Sequence, residues 1–221
     1  MRERITCEEG QVLHSGYRDE VRERGQQQYQ VRFGWGIADA RRVAVGAHLV
    51  VWTDVLPSPG ADDDATHRAV RRAVPAGAEV VVGHLGNATT VADRVTSLQA
   101  ALGDRCVVAV IAAGTAPTPV GDDAAEAAGE SVDVPDAPGF AVEDLLGAGA
   151  VVDALTAVGI DHCSPEAAAA CAAFTGLRRA VRHLVSASEA ARELGPERVQ
   201  AALASGPELL TVRPGEHTSR A

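Results

Sequence analysis

The chain has 221 residues, a formal net charge of −10 at pH 7, 46% hydrophobic residues and a mean hydropathy of +0.00. That length suits one good-sized domain, and the acidic balance argues against broad nucleic-acid binding, which needs a basic footprint. All 20 basic residues are Arg, which excludes a P-loop lysine, a Schiff-base lysine and a pyridoxal-phosphate anchor.

Residues 1–28 are polar and rich in Gln, Glu and Arg, and loose structure is expected there. The charged start, MRERITCEEG, has no apolar segment of the signal-peptide kind. No apolar run approaches the ~20 residues of a membrane span, so the expected location is the cytoplasm. Tyr29, Val31 and Phe33 alternate with Gln30 and Arg32, which predicts a half-exposed strand ended by Gly34-Trp35-Gly36. Ile37 to Arg42 reads as a helical turn or more.

Val43 to Gly60, VAVGAHLVVWTDVLPSPG, is the stretch around which the chain is organised. Its nearly continuous apolar run predicts a strand over 43–53 buried on both faces, as in a parallel or mixed sheet covered by helices. Ligands of such sheets sit beyond the carboxyl ends of the strands. Asp54 falls at that end, either as a site carboxylate or as the residue that starts the turn. Asp62-Asp63-Asp64 comes next, either a metal loop or a solvated helix start. His67 to Val74 reads as a short helix.

Residues 78–83 (AEVVVG) and 106–113 (CVVAVIAA) predict two more buried strands, joined by an amphipathic helix to about Leu102. Together they form a βαβ unit with parallel pairing. Asn87 is a fitting N-cap for the connecting helix, whose N-terminus is a ready anion site. Residues 116–139 are poor in large apolar side chains and are expected to be a mobile loop. A helix over about 140–158 carries Glu143 and Asp144 in its first turn, where dipole complementarity alone would also explain them. Ser164-Pro165-Glu166 starts a helix running to about Leu184. Residues 186–194 and 196–204 are shorter helices, 209–212 a last strand, and 215–221 a tail. Cys7, Cys106, Cys163 and Cys171 form no close metal pair and are expected to be reduced thiols. The fold expected from this alternation is a single α/β domain over 29–214, a three-layer α/β/α sandwich.

The strand ends form a recognisable series: VRFGWG (31–36), TDVL (53–56), GHLGNATTVA (83–92), VIAAGT (110–115) and FAVEDLLGAGAVV (140–152), then SASEAAREL (186–194) and LLTVRP (209–214). In these pieces the chain resembles the 2-phosphosulfolactate phosphatase, or ComB-like, family, over most of residues 29–214. Members of that family are three-layer α/β proteins with a mixed, largely parallel sheet. They are Mg²⁺-dependent enzymes that release phosphate from 2-phospho-3-sulfolactate. The resemblance implies Mg²⁺ as cofactor, with Asp54 as a metal ligand or phosphate-site carboxylate and Glu143 and Asp144 as further catalytic carboxylates. It places Asn87 and Thr115 near the pocket as substrate-binding residues, with Ser58 the hydroxyl of a remnant loop. The chain departs from the family pattern at Pro57-Ser58-Pro59-Gly60 and carries neither the Gly-Glu-Arg-like segment nor the Asn-Gly loop, as a shortened member would.

Two functions are therefore expected. One is a metal-dependent phosphomonoesterase acting on a small phosphorylated metabolite, with no nucleic-acid or membrane partner and homo-oligomerisation left open. The other is a non-catalytic module of the same fold that binds a ligand or assembles. A nucleotide-binding domain is the weakest reading, because no G-x-G-x-x-G comes after a strand.

Overall fold

A computed structural model of the chain describes residues 26–57, 63–115 and 138–216. Within them five strands form one sheet: β1 (Val31–Trp35), β2 (Leu49–Thr53), β3 (Glu79–Gly83), β4 (Val108–Ala112) and β5 (Thr211–Arg213). Their order is β1-β4-β2-β3-β5. The first four are parallel, and only β5 runs antiparallel, against β3. Eight helices accompany the sheet among the described residues, and the fold is a three-layer α/β/α sandwich. Residues 1–25 of the expected polar segment 1–28, Ser58, and residues 116–137 of the expected mobile loop 116–139 lie outside the described residues.

The layers arise from the period-2 alternation of buried strands. Val50, Trp52, Val80, Ala109 and Ile111 point to one face, where α1 (Gly36–Val43) and α2 (Asp63–Ala73) cover them with Ala40, Val43 and Val70. Leu49, Val51, Val81, Val108 and Val110 point to the other face. There they meet Val91 and Val95 of α3 (Ala88–Leu102), Val151 and Leu155 of α4 (Val142–Ala157), and Ala167 and Ala170 of α5 (Pro165–Leu177). Each fully buried Val, Leu or Ile contributes roughly 1.5–3 kcal/mol relative to exposure. A third apolar cluster joins Val55, Leu56 and Leu146 to α6 (Val181–Ala187), α7 (Glu189–Leu194) and α8 (Pro196–Leu203) through Val181, Val185, Leu194 and Val199. No helix among the described residues is long and apolar enough to cross a membrane.

Four expectations need correction. The strand expected over 43–53 begins only at Leu49. Val43 and Ala44 are the buried end of α1, closed by the Ala44 N–H donating to the Ala40 carbonyl, so helix end and strand together make one apolar run. The N-terminal strand is not half-exposed. Arg32 is 3% exposed because its guanidinium donates to the carbonyls of Val43 (3.1 Å) and Val45 (2.7 Å), satisfying acceptors left over at the end of α1. Strands β3 and β4 are parallel but not neighbours, since β2 pairs with both. Finally, the helix expected from Pro165 to Leu184 breaks after Leu177. Ser188 then caps α7, its hydroxyl accepting from the Ala191 N–H, and so separates α6 from α7. The break lets α5 pack on α4 while α6 turns its apolar face to the third cluster.

Close packing of α4 on α5 needs a residue without a side chain at Gly149. A Cβ there would run into the Ala170 carbonyl oxygen and stand 2.7 Å from the Phe174 Cβ. Exposed Gly176 in α5 has open space in the same direction. We therefore expect two Gly→Ala substitutions of opposite sign in chemical denaturation. Gly149→Ala destabilises by about 1–3 kcal/mol, whereas Gly176→Ala stabilises by up to about 1 kcal/mol through helix propensity and reduced unfolded-state entropy. Equal effects would contradict the packing described.

Candidate active site

The order of the strands marks the carboxyl end of the sheet, between β2 and β4, as the expected ligand position. Strand β2 exits towards α2 on one face, and its neighbour β4 leads to α4 on the other. Adjacent strands whose exits go to opposite faces leave a gap between them, the usual ligand position in open α/β sheets. Asp54 comes directly after β2, and Gly114 lies just beyond β4. The first turn of α4, with Glu143 and Asp144, is drawn to the same place.

Asp144 is the organising group of this crevice. It is 2% exposed, and its two carboxylate oxygens accept from the backbone N–H of Val55 (2.8 Å) and of Gly114 (2.9 Å). One side chain therefore fixes the exits of both central strands and ties them to α4. Hydrogen bonds to a charged group contribute about 1.5–3 kcal/mol each. Burial and the nearby charge of Asp54 nevertheless raise the Asp144 pKa well above the ordinary carboxylate value, against those two N–H groups and with Glu143 adding a smaller push upward.

Asp54 is half-buried, and its pKa is raised from 3.8 to about 6, first by burial and then by the charges of Asp63 and Glu143. Glu143, also 2% exposed, is raised by burial against its own backbone N–H and the Ser188 hydroxyl, with Glu189 adding to the rise. The three catalytic candidates read from the sequence are thus brought into one electrostatic unit. Asp63 joins them: it stands in the first turn of α2, as a helix start should, yet its charge also reaches Asp54. The sequence marked Asp63 only as one of three adjacent carboxylates. Beneath the crevice, the Thr53 hydroxyl is fully buried with no hydrogen-bond partner among the described residues.

The substrate-binding candidates fare differently. Asn87 is the N-cap residue of α3, but its side chain makes no capping bond. Its Oδ1 accepts from the His84 N–H (2.8 Å), and its Nδ2 donates to the carbonyls of Val82 (3.0 Å) and Glu208 (3.1 Å). It pins the segment before β5 to the exit of β3. Thr115 forms a backbone bridge with Gly139, N–H to carbonyl in both directions at 3.0 Å, at the rim of the crevice. Arg32, Arg94 and Arg213 are engaged near the opposite end of the sheet, and Arg178 pairs with Asp153 lower on α4. Among the described residues no three His, Cys, Asp or Glu side chains converge as a ready-made metal cage. Cys106, Cys163 and Cys171 are free thiols, and burial pushes that of Cys106 up to about 12.

The raised Asp54 pKa has a definite sign. The folded state holds this proton more tightly than the unfolded chain, so the contribution to stability is present below about pH 4 and is lost as pH rises through about 6. Asp54→Asn has no such loss. We expect its melting temperature to exceed that of the wild type by a margin that grows between pH 4 and 7, read by differential scanning calorimetry in EDTA. A margin constant with pH would contradict the electrostatic strain assigned to Asp54.

No protein-family model and no curated protein matches the chain, so the functional reading rests on the geometry of these carboxylates.

Proposed function

We propose that the chain is a Mg²⁺-dependent phosphatase of a small phosphate monoester, of the 2-phosphosulfolactate kind, acting in the cytoplasm. The supporting observation is that Asp144 ties the exits of β2 and β4 together while Asp54 and Glu143 lie near enough to raise its pKa. The donor set suits the ion. Mg²⁺ takes oxygen ligands, keeps several of its waters and is commonly held by one or two carboxylates. Carboxylates whose mutual repulsion raises their pKa values are a set that a cation relieves. Asp54, half-buried at the mouth, is the residue that would hold it; when bound, the ion offsets the charge on the phosphate oxygens.

The remaining roles belong to the chain itself. Asp144 spends both oxygens on backbone N–H groups, so it positions the strand exits rather than touching substrate. Glu143, whose pKa burial raises, is the carboxyl placed to act as general acid towards the departing ester oxygen while water attacks in line on the phosphorus. No nucleophilic Ser or Cys is required.

A second reading, a non-catalytic module that binds a ligand or assembles, is favoured by one observation. Asn87 and the engaged arginines, which would grip a phosphate, serve the chain's own backbone and carboxylates instead. The two readings separate by measuring phosphate release from 2-phospho-3-sulfolactate and other small monoesters, with Mg²⁺ and with EDTA. We expect Mg²⁺-dependent release that Asp54→Asn lowers on the order of 100-fold or more without lowering the melting temperature. Absence of Mg²⁺-dependent release from every ester leaves the second reading; full activity in Asp54→Asn removes Asp54 from the site.

A further inference from the structure

Seven aromatic residues occur in the whole chain, and three of them stack together beside the crevice. Phe33 meets Trp35 edge-on, with ring centroids 5.6 Å apart, and Trp35 meets Phe140 at 5.6 Å with the rings tilted by 47°. Phe33 is core, but Phe140 is 67% exposed and Trp35 only partly buried. Trp35, Phe140, Pro138, Ala38 and Asp39 line an open cavity of about 340 Å³. An aromatic-poor chain that leaves a large ring two-thirds exposed over such a cavity has a surface suited to stacking rather than surplus core.

The cavity is built, not loose. Pro138 seats against strand exits that lack side chains: a Cβ on Gly36 (φ +61°) would stand 2.7 Å from the Pro138 ring, and one on Gly114 (φ +74°) 2.8 Å from its Cβ. The Trp35 N–H donates to Asp39 Oδ2 at 2.9 Å, and Asp39 Oδ1 is paired with Arg42 at 2.7 Å. The one carboxylate in the wall is thus offset, and the cavity favours a neutral flat ring over a free cation. It also shares parts with the carboxylate crevice. Gly114, which holds Pro138, donates its N–H to Asp144, and Phe140 stands three residues before Glu143. Trp35 ends β1 and Asp54 comes just after β2, with β4 between them, so two strand spacings, about 10 Å, separate the backbone of Trp35 from that of Asp54.

We propose that this cavity binds a planar aromatic ring, so that the phosphate monoesters accepted include ring-bearing ones of nucleoside monophosphate span, about 10 Å, besides compact ones. The phosphate end rests on the phosphatase reading above; the ring end rests on the aromatic wall alone. The test uses adenosine 5′-monophosphate and ribose 5-phosphate, which differ only by the ring. Equilibrium binding to the full chain is measured by calorimetry with Mg²⁺ present, using the non-hydrolysable phosphonate analogues of the two esters, so the cation that offsets the phosphate is in place and no turnover occurs. The ring-bearing ester should bind about tenfold more tightly than the ringless one. Phe140→Ala, at an exposed position that leaves the core intact, should remove most of that difference and leave ribose 5-phosphate binding unchanged.

Equal binding of the two esters, binding of neither, or a preference that survives in both Phe140→Ala and Trp35→Leu would overturn the proposal. Phosphate release from the same two esters with Mg²⁺ is assayed separately. Ring-dependent binding without release upholds the ring site and rejects the phosphatase. Release without ring preference does the reverse.

Discussion

The structure depends on one buried carboxylate. Asp144 accepts from Val55 on one side and Gly114 on the other, and so closes the two central strand exits onto the first turn of α4. Without it, the Val55 and Gly114 N–H groups would lose their acceptor, at a cost of about 1–3 kcal/mol for the buried one at Val55. The segment after β2 inherits its position from this contact. Its Val55 and Leu56 continue straight into the apolar cluster that carries α6 to α8. The segment after β4 inherits its position in the same way, since Gly114–Thr115 pairs with Gly139 just ahead of α4.

The same contact creates electrostatic tension. A carboxylate held by N–H dipoles at a helix start is favoured as an anion, but burial and the neighbouring Asp54 act the other way and prevail. Burial, with repulsion among neighbouring carboxylates, raises the pKa values of Asp54, Glu143 and Asp144 together. The opposite end of the sheet shows the contrast. There Glu79 is buried but meets Arg94 at 2.6 Å, and the charge is balanced within the chain.

Much of this was legible in the sequence because it is local. Within the apolar runs expected as strands at 43–53, 78–83 and 106–113 lie the buried strands β2, β3 and β4, although the first begins only at Leu49, and Asp54 directly follows it at the carboxyl end of the sheet. Ser164 and Pro165 mark their helix start as expected, the Ser164 hydroxyl accepting from the Ala167 N–H. The misreadings come from long-range partners. Arg32 looks like the outward residue of an alternating strand until the carbonyls of Val43 and Val45 are found beside it. Asn87 has the right residue type and position for a helix cap, yet its amide reaches Glu208, 121 residues away. The partners of Asp144 lie 89 and 30 residues from it, and no local pattern reports them. Trp35 read simply as the end of a strand, because its stacking partner Phe140 comes from the far side of the chain.

The central claim is that Asp144 fastens both strand exits, and amide hydrogen exchange at Val55 and Gly114 tests it most directly. In the wild type both amides should be protected although each lies beyond the last residue of its strand. In Asp144→Ala both should lose protection together, while Val50 and Ala109, inside the same strands, keep theirs. Wild-type exchange at Val55 and Gly114 as fast as in an open loop, or protection unchanged by the substitution, would contradict the account.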